Sequence, residues 1–214
     1  MNRNPSRLAR ALAAALVLLP LVAFAGGAEH SFNPTEDEMK RLRAGEVIVD
    51  EYIFSGPGNE KQLSFIATAL VDAPPQTCFN TVRDYDHFHE FMPRVSGAKV
   101  VAKDGDCMTI RYEAGILWID VVYYIDACAA VPGRRVEFEL ARDRENFIEE
   151  TRGFWEIQPV DGGKSSLVSY SAYLDPGIPV PDFISLRMTR SNIVAVLENV
   201  RKRAESGGTW KKDD

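Results

Sequence analysis

The stretch DYDHFHEFMP, Asp84–Pro93, holds two of the chain's three histidines together with Asp84, Asp86 and Glu90, with aromatic residues interleaved. Three readings compete for it: a metal site, an acid–base site, or an amphipathic cap. Helical pitch separates them. At about 100° per residue, Tyr85, Phe88, Phe91 and Met92 gather on one side. Asp84, Asp86, His87 and Glu90 fall mainly elsewhere, and His89 lies near the boundary. His87 and His89, two positions apart, point about 200° from each other on a helix and do not converge on one ion. The expectation is an amphipathic cap whose aromatics press inward. Its charges face water, and His87 and His89 are exposed and bind no metal.

Working outward, Pro93 stops this element and Pro75 opens the one before it. Residues 75–83 are expected as a helix with proline in its first turn. Upstream, EVIVDEYIF (46–54) and KQLSFIATALV (61–71) read as a hairpin around a Gly/Pro turn. Thr35, with Glu38 three residues on, is a capping box for a short helix over 35–44.

Downstream, residues 97–174 alternate as successive strands separated by Asp-Gly, Pro-Gly and Gly-Gly turns. In MTIRYEA, Met108, Ile110, Tyr112 and Ala114 share one face, and Arg111 and Glu113 take the opposite face, as solvent or rim. From Pro181 to about Glu205 the period becomes helical, with Leu186, Ile193, Val196, Leu197 and Val200 in one stripe. The predicted architecture is α+β: six to seven antiparallel strands, two short helices closing one end, and one long C-terminal helix. A single helix does not fill the concave side of a wide curved sheet, so a cavity is expected between them.

Several of these motifs occur in an order that resembles the START-like (SRPBCC) superfamily. ALVDAPPQTCFNTVRDYDHFHEFMPRVSGAKVV matches its strand ending in Asp-Ala-Pro, short helix, Asp-Tyr-Asp, aromatics, proline and strand. RGFWEIQPVDGG and LVSYSAYLDPGIPVPDFI match its Gly-x-Trp strand, Gly turn, Tyr-bearing strand and Pro-rich entry to the last helix. The chain looks most similar to the polyketide cyclase/dehydrase or coenzyme Q-binding branch, over roughly residues 46–206. The resemblance implies a helix-grip fold, a curved sheet wrapped around the last helix with a tunnel between them. Trp155 and Tyr170 fall at the family's Trp and Tyr positions.

The candidate ligand-binding residues are Tyr112, Phe138, Trp155, Tyr170, Ile193, Val196 and Leu197, with Phe88 and Phe91 from the cap. Large aromatics with polar handles suit a ring-bearing or isoprenoid ligand. No catalytic residue is assigned. There is no Gly-x-Ser-x-Gly, and the adjacent Glu149 and Glu150 point to opposite faces of a strand. No cofactor is implied. The reading is a carrier for a hydrophobic small molecule, a lipid or an isoprenoid quinone. The alternative is a cyclase or dehydratase acting on an aromatic or polyketide-like substrate in the same cavity. The loop 174–184 either touches a membrane transiently or is a buried connection under the helix.

The ends and composition set the context. Arg3, Arg7 and Arg10 precede the apolar run ALAAALVLLPLVAFA, which closes on Ala23-Phe24-Ala25. This reads as a signal peptide over residues 1–25, cleaved near Ala25, and predicts a periplasmic or secreted protein. Residues 26–45 form a lead, 46–206 the main domain and 207–214 a flexible tail. With a net charge of -6 the chain is a poor nucleic-acid partner. Arg201-Lys202-Arg203 is read as a complement to the dipole of the last helix. A hairpin turn near Gly115 puts Cys107 and Cys128 out of register, so Cys78, Cys107 and Cys128 are read as three small buried side chains.

Overall fold

A computed structural model describes residues 32–55, 61–116, 119–180 and 182–213. The expected signal peptide and the first residues of the expected lead lie outside them. Thr35 caps α1 (Glu36–Arg43) with the expected box: its hydroxyl accepts from the Glu38 N–H, and its own N–H donates to the Glu38 carboxylate. There follow β1 (Ile48–Ser55), β2 (Lys61–Val71), α2 (Pro75–Arg83), a 3₁₀ turn (Tyr85–His87) and α3 (Phe88–Phe91). The remaining strands are β3 (Val95–Asp104), β4 (Cys107–Ile116), β5 (Ile119–Val131), β6 (Arg135–Leu140), β7 (Glu150–Val160) and β8 (Ser165–Asp175). The chain ends on α4 (Asp182–Glu205).

The eight strands, one more than the six to seven expected, form one sheet in the order β1-β2-β8-β7-β6-β5-β4-β3. Every pairing is antiparallel. The one non-local step is β2 against β8, which carries the chain's last strand back beside its second. Alternation gives each strand an inner face. Ile110, Tyr112 and Ala114 of β4, Val121 and Ile125 of β5, and Val136 and Phe138 of β6 are all buried. Against this face lies α4, in the helix-grip arrangement.

The two halves of α4 do different work. In its C-terminal half Leu197, Val200 and Ala204 are fully buried in the main core, packed in one cluster with Cys78, Phe79 and Val82 of α2. In its N-terminal half Met188, Thr189, Asn192 and Ile193, with Val196 just beyond the midpoint, border open space. The cavity therefore opens under the first half of the helix and is closed by the second.

Three expectations are corrected. First, Cys107 and Cys128 are directly opposite and form a disulfide. The β4–β5 hairpin turns between Ile116 and Ile119 rather than near Gly115, which shifts the register by enough to align them. Cys78 is free and buried, as read. Second, the tail through residue 213 is not frayed. Gly207 takes a positive φ, its N–H returns to the Ala204 carbonyl, and that of Gly208 returns to the Arg203 carbonyl. This is a glycine-terminated helix end that turns the chain back. Trp210 then packs on the core, and the Lys212 ammonium donates to the carbonyls of Met92 and Val95. Third, Arg203 is not a free dipole partner. It is buried against Glu90 at 2.9 Å, donates to the Trp210 carbonyl and lies over the Phe91 ring.

Candidate ligand-binding cavity

The stretch 84–93 is a cap, and each of its carboxylates and histidines has a structural partner or faces water. Asp84 accepts from the His87 ring at 2.7 Å, and both side chains are about half exposed. Asp86 accepts from the Val100 N–H, fastening the cap to β3 at the sheet edge. Glu90 is not water-facing as expected. It is held between Arg203 and Lys211, each at 2.9 Å. His89 is exposed. Among the described residues no three His, Cys, Asp or Glu side chains converge as metal ligands.

Hydrogen bonding to Lys211 and Arg203 holds the Glu90 carboxyl below its ordinary range. The Asp84 carboxylate holds the His87 imidazole above its own.

On their inner side the cap's aromatics meet those of the sheet. Tyr85 and Phe88 lie 4.8 Å apart, Phe88 and Tyr112 6.2 Å, and Tyr112 stacks on its cross-strand partner Tyr123 at 5.4 Å. Opposite them Trp155 stacks on its own cross-strand partner Tyr170 at 4.1 Å, with Phe138 6.3 Å beyond. Offset ring contacts of this kind hold the wall in one arrangement. Gly153 makes the packing attainable. It pairs with Phe138, and a Cβ there would sit 2.5 Å from the Phe138 ring and 2.1 Å from the Ser171 carbonyl oxygen.

Between these rings and the first half of α4 is a cavity of about 220 Å³. That is close to the lower edge of the roughly 300–1,000 Å³ usual for ligand pockets. It holds about seven waters at ~30 Å³ each, enough for a compact ring system rather than a whole lipid. Its wall is apolar apart from phenol, threonine, asparagine and backbone groups. Among the described residues Arg94 is the one formally charged lining side chain, exposed beside Gly115, whose N–H donates to the Arg94 carbonyl. Arg94 holds φ at 61°, a left-handed conformation rare for a long side chain.

Seven of the nine candidate residues border this space: Tyr112, Phe138, Trp155, Tyr170, Ile193, Val196 and Phe88. Phe91 and Leu197 do not. Both are completely buried in the core, Phe91 beneath Phe88 and Leu197 on the helix half that closes the floor. Tyr85 and Tyr123 were not among the candidates, yet both line the cavity. Each sat on an apolar face already visible in the sequence, so periodicity alone carried the signal. Arg111 and Glu113 pair with each other on the outer face.

The cavity lining reaches two connections, the β4–β5 hairpin and the β8–α4 loop. Ile116 of the β4–β5 hairpin, Leu174 and Pro176 at the end of β8, and Val180 before α4 form its rim. In the loop 174–184, Pro176 and Val180 border the cavity, while Ile178 is 37% exposed. Phe147, 75% exposed, is on the adjoining β6–β7 loop, where the Glu149 N–H donates to the Asp175 carbonyl.

Residues 71–201 match a protein family described as polyketide cyclase / dehydrase and lipid transport. A search of curated proteins returned no match. Among solved structures the chain is similar to a STAR-related lipid transfer protein from Xanthomonas axonopodis, with 18% identity, a TM-score of 0.58, and 73% of this chain and 93% of that one covered. It is similar also to the Zhui aromatase/cyclase from a Streptomyces species, with 15% identity, a TM-score of 0.53, and 75% and 94% covered. Human STARD10 gives 11% identity, a TM-score of 0.60, and 83% and 82% covered. At these identities the likeness is one of fold.

Proposed function

This chain belongs to the polyketide cyclase / dehydrase and lipid transport family, a START-like family, and on that premise we propose that it is a carrier holding a lipid or isoprenoid quinone in the cavity under α4. The observation that carries this reading is the cavity wall: aromatic and aliphatic, and free of formal charge except at Arg94. Burial of apolar ligand surface against it supplies affinity at about 25 cal/mol per Å². The volume fits a ring-bearing head better than an entire chain, so a tail would leave through the rim formed by Ile116, Pro176 and Val180.

The cyclase or dehydratase alternative needs a general acid or base at the wall. The titratable groups there are phenols and Arg94, and burial holds the phenols protonated, which suits hydrogen-bond donation more than proton abstraction. Transient membrane contact is part of the proposal, because a carrier takes its cargo from a bilayer. Phe147 and Ile178, exposed beside the rim, support it. A periplasmic or secreted location is likewise proposed, from the N-terminal signal-like sequence. The Cys107–Cys128 disulfide favours an oxidising compartment.

Mass spectrometry of organic extracts from protein purified out of its native host tests the carrier reading. A lipid or quinone recovered in stoichiometric amount supports it. Recovery no higher than from a heat-denatured control removes it.

A further inference from the structure

Four of the cavity's aromatic side chains end in a hydroxyl, and those hydroxyls belong to one neighbourhood. Tyr112 and Tyr123 are stacked cross-strand partners, Tyr85 reaches the same wall through Phe88, and Tyr170 comes from the opposite side on Trp155. Each phenol is raised in pKa mainly by burial, and Tyr112 and Tyr170 are raised further by the neighbouring tyrosines, Tyr85 and Tyr123 among them. All four therefore remain O–H donors at any physiological pH.

The cluster sits deep. Tyr112 is four residues in from Ile116 at the end of β4, roughly 13 Å at about 3.4 Å per residue. Tyr170 is five residues in from the end of β8. Ile110, Ile157, Val168 and Leu197 are completely buried in the same core cluster as Tyr85 and Tyr112. The Tyr85 hydroxyl is itself buried without a hydrogen-bond partner. Tyr112, Tyr123 and Tyr170 line the cavity with phenol groups that can donate to an entering acceptor.

We infer that Tyr112, Tyr123 and Tyr170 form a hydrogen-bond donor site for an uncharged carbonyl oxygen on a flat ring, so that the ligand enters ring first and leaves its tail at the rim. This rests on the carrier reading and specifies its ligand. A carbonyl oxygen has two lone pairs for converging donors. A carboxylate or phosphate would lose its hydration at a depth where no cation lines the wall, the one lining cation being Arg94 near the surface. A hydrocarbon would displace water from the Tyr112, Tyr123 and Tyr170 hydroxyls without replacing its hydrogen bonds. The near-parallel Tyr112–Tyr123 pair, 7° apart in plane, and the Trp155–Tyr170 pair offer flat faces to a ring.

The test uses two naphthalenes of nearly equal shape, 2-acetylnaphthalene and 2-isopropylnaphthalene, titrated calorimetrically into the full protein. The ketone is expected to bind about tenfold more tightly, as one or two net hydrogen bonds require. Tyr112→Phe with Tyr170→Phe, and separately Tyr123→Phe, should bring the ratio of the two affinities close to one. Infrared spectroscopy of the ketone bound to the unsubstituted protein gives a readout that needs no variant. Its carbonyl stretch should fall below the value in hydrocarbon solvent. Equal affinity for the two probes, with an unshifted carbonyl stretch, overturns the donor site and leaves the carrier reading standing. Failure of both probes to bind overturns the two together.

Discussion

Glu90 and Arg203 meet at 2.9 Å across 113 positions of sequence, and through this contact the cap is fastened to the end of the helix that closes the core. The Arg203 side chain is only 6% exposed, and its guanidinium also lies over Phe91. Lys211 completes the clamp on Glu90 from a far more exposed position. Removing Arg203 leaves Glu90 with one partner and opens a space over Phe91, whereas removing Lys211 takes away a pair that water largely replaces. Arg203→Met should therefore lower the melting temperature by several degrees and Lys211→Ala by one or none, as thermal denaturation would report. Equal effects would mean that the tail, not the helix, holds the cap.

Two groups of the cap, Glu90 and His87, act on stability in opposite pH directions. The Glu90 carboxyl is lowered in the folded state, so its contribution is full above the unfolded value of about 4.3 and fades as pH falls through the lower folded value. The His87 imidazole is raised, so its contribution is full below about 6.5 and fades as pH rises through the higher folded value. Melting temperature should thus decline gently on the alkaline side of about pH 6.5. Asp84→Asn should flatten that decline and leave the acid side as it was.

Gly153→Ala should destabilise the protein by about 3 kcal/mol in urea unfolding. The added methyl meets the Ser171 carbonyl at 2.1 Å as well as the Phe138 ring at 2.5 Å. A companion Phe138→Leu frees the ring side alone, so the double variant should recover little. Full recovery would show that the ring was the whole obstacle.

Thiol counting separates the cysteines. Burial pushes the Cys78 thiol up to about 11, so native protein at pH 8 should react slowly with a disulfide reagent. Denatured, unreduced protein should expose one thiol, and denatured, reduced protein all three. Cys107→Ala with Cys128→Ala should cost about 3 kcal/mol, as expected for a cross-link spanning 21 positions.

Phe147, the most exposed large apolar side chain among the described residues, adjoins the rim. Phe147→Asp should weaken binding to phosphatidylcholine vesicles severalfold in a flotation assay, with no change in melting temperature, because the side chain contributes little to the core. Unchanged flotation would take this loop out of the proposed membrane contact.

Local rules read from the sequence reached far. The capping box of Thr35 and Glu38, the proline opening α2, the alternation of β4 and the amphipathic turn at 84–93 all depend on neighbours within a few residues, and each appears where the sequence put it. The ordered motifs carried the fold further, from Asp-Ala-Pro through Gly153-Phe154-Trp155 to the last helix. Most of the cavity wall followed from strand alternation, because residues two apart share a face. What remained hidden depended on register and on contacts remote in sequence. A shift of a few residues in one hairpin turn decided whether Cys107 faced Cys128. Glu90 read as a solvent-facing acid because its partners, Arg203 and Lys211, lie more than a hundred residues away. Phe91 and Leu197 read as cavity wall because periodicity gives the buried face of an element, and only tertiary packing divides that face between filled core and open space.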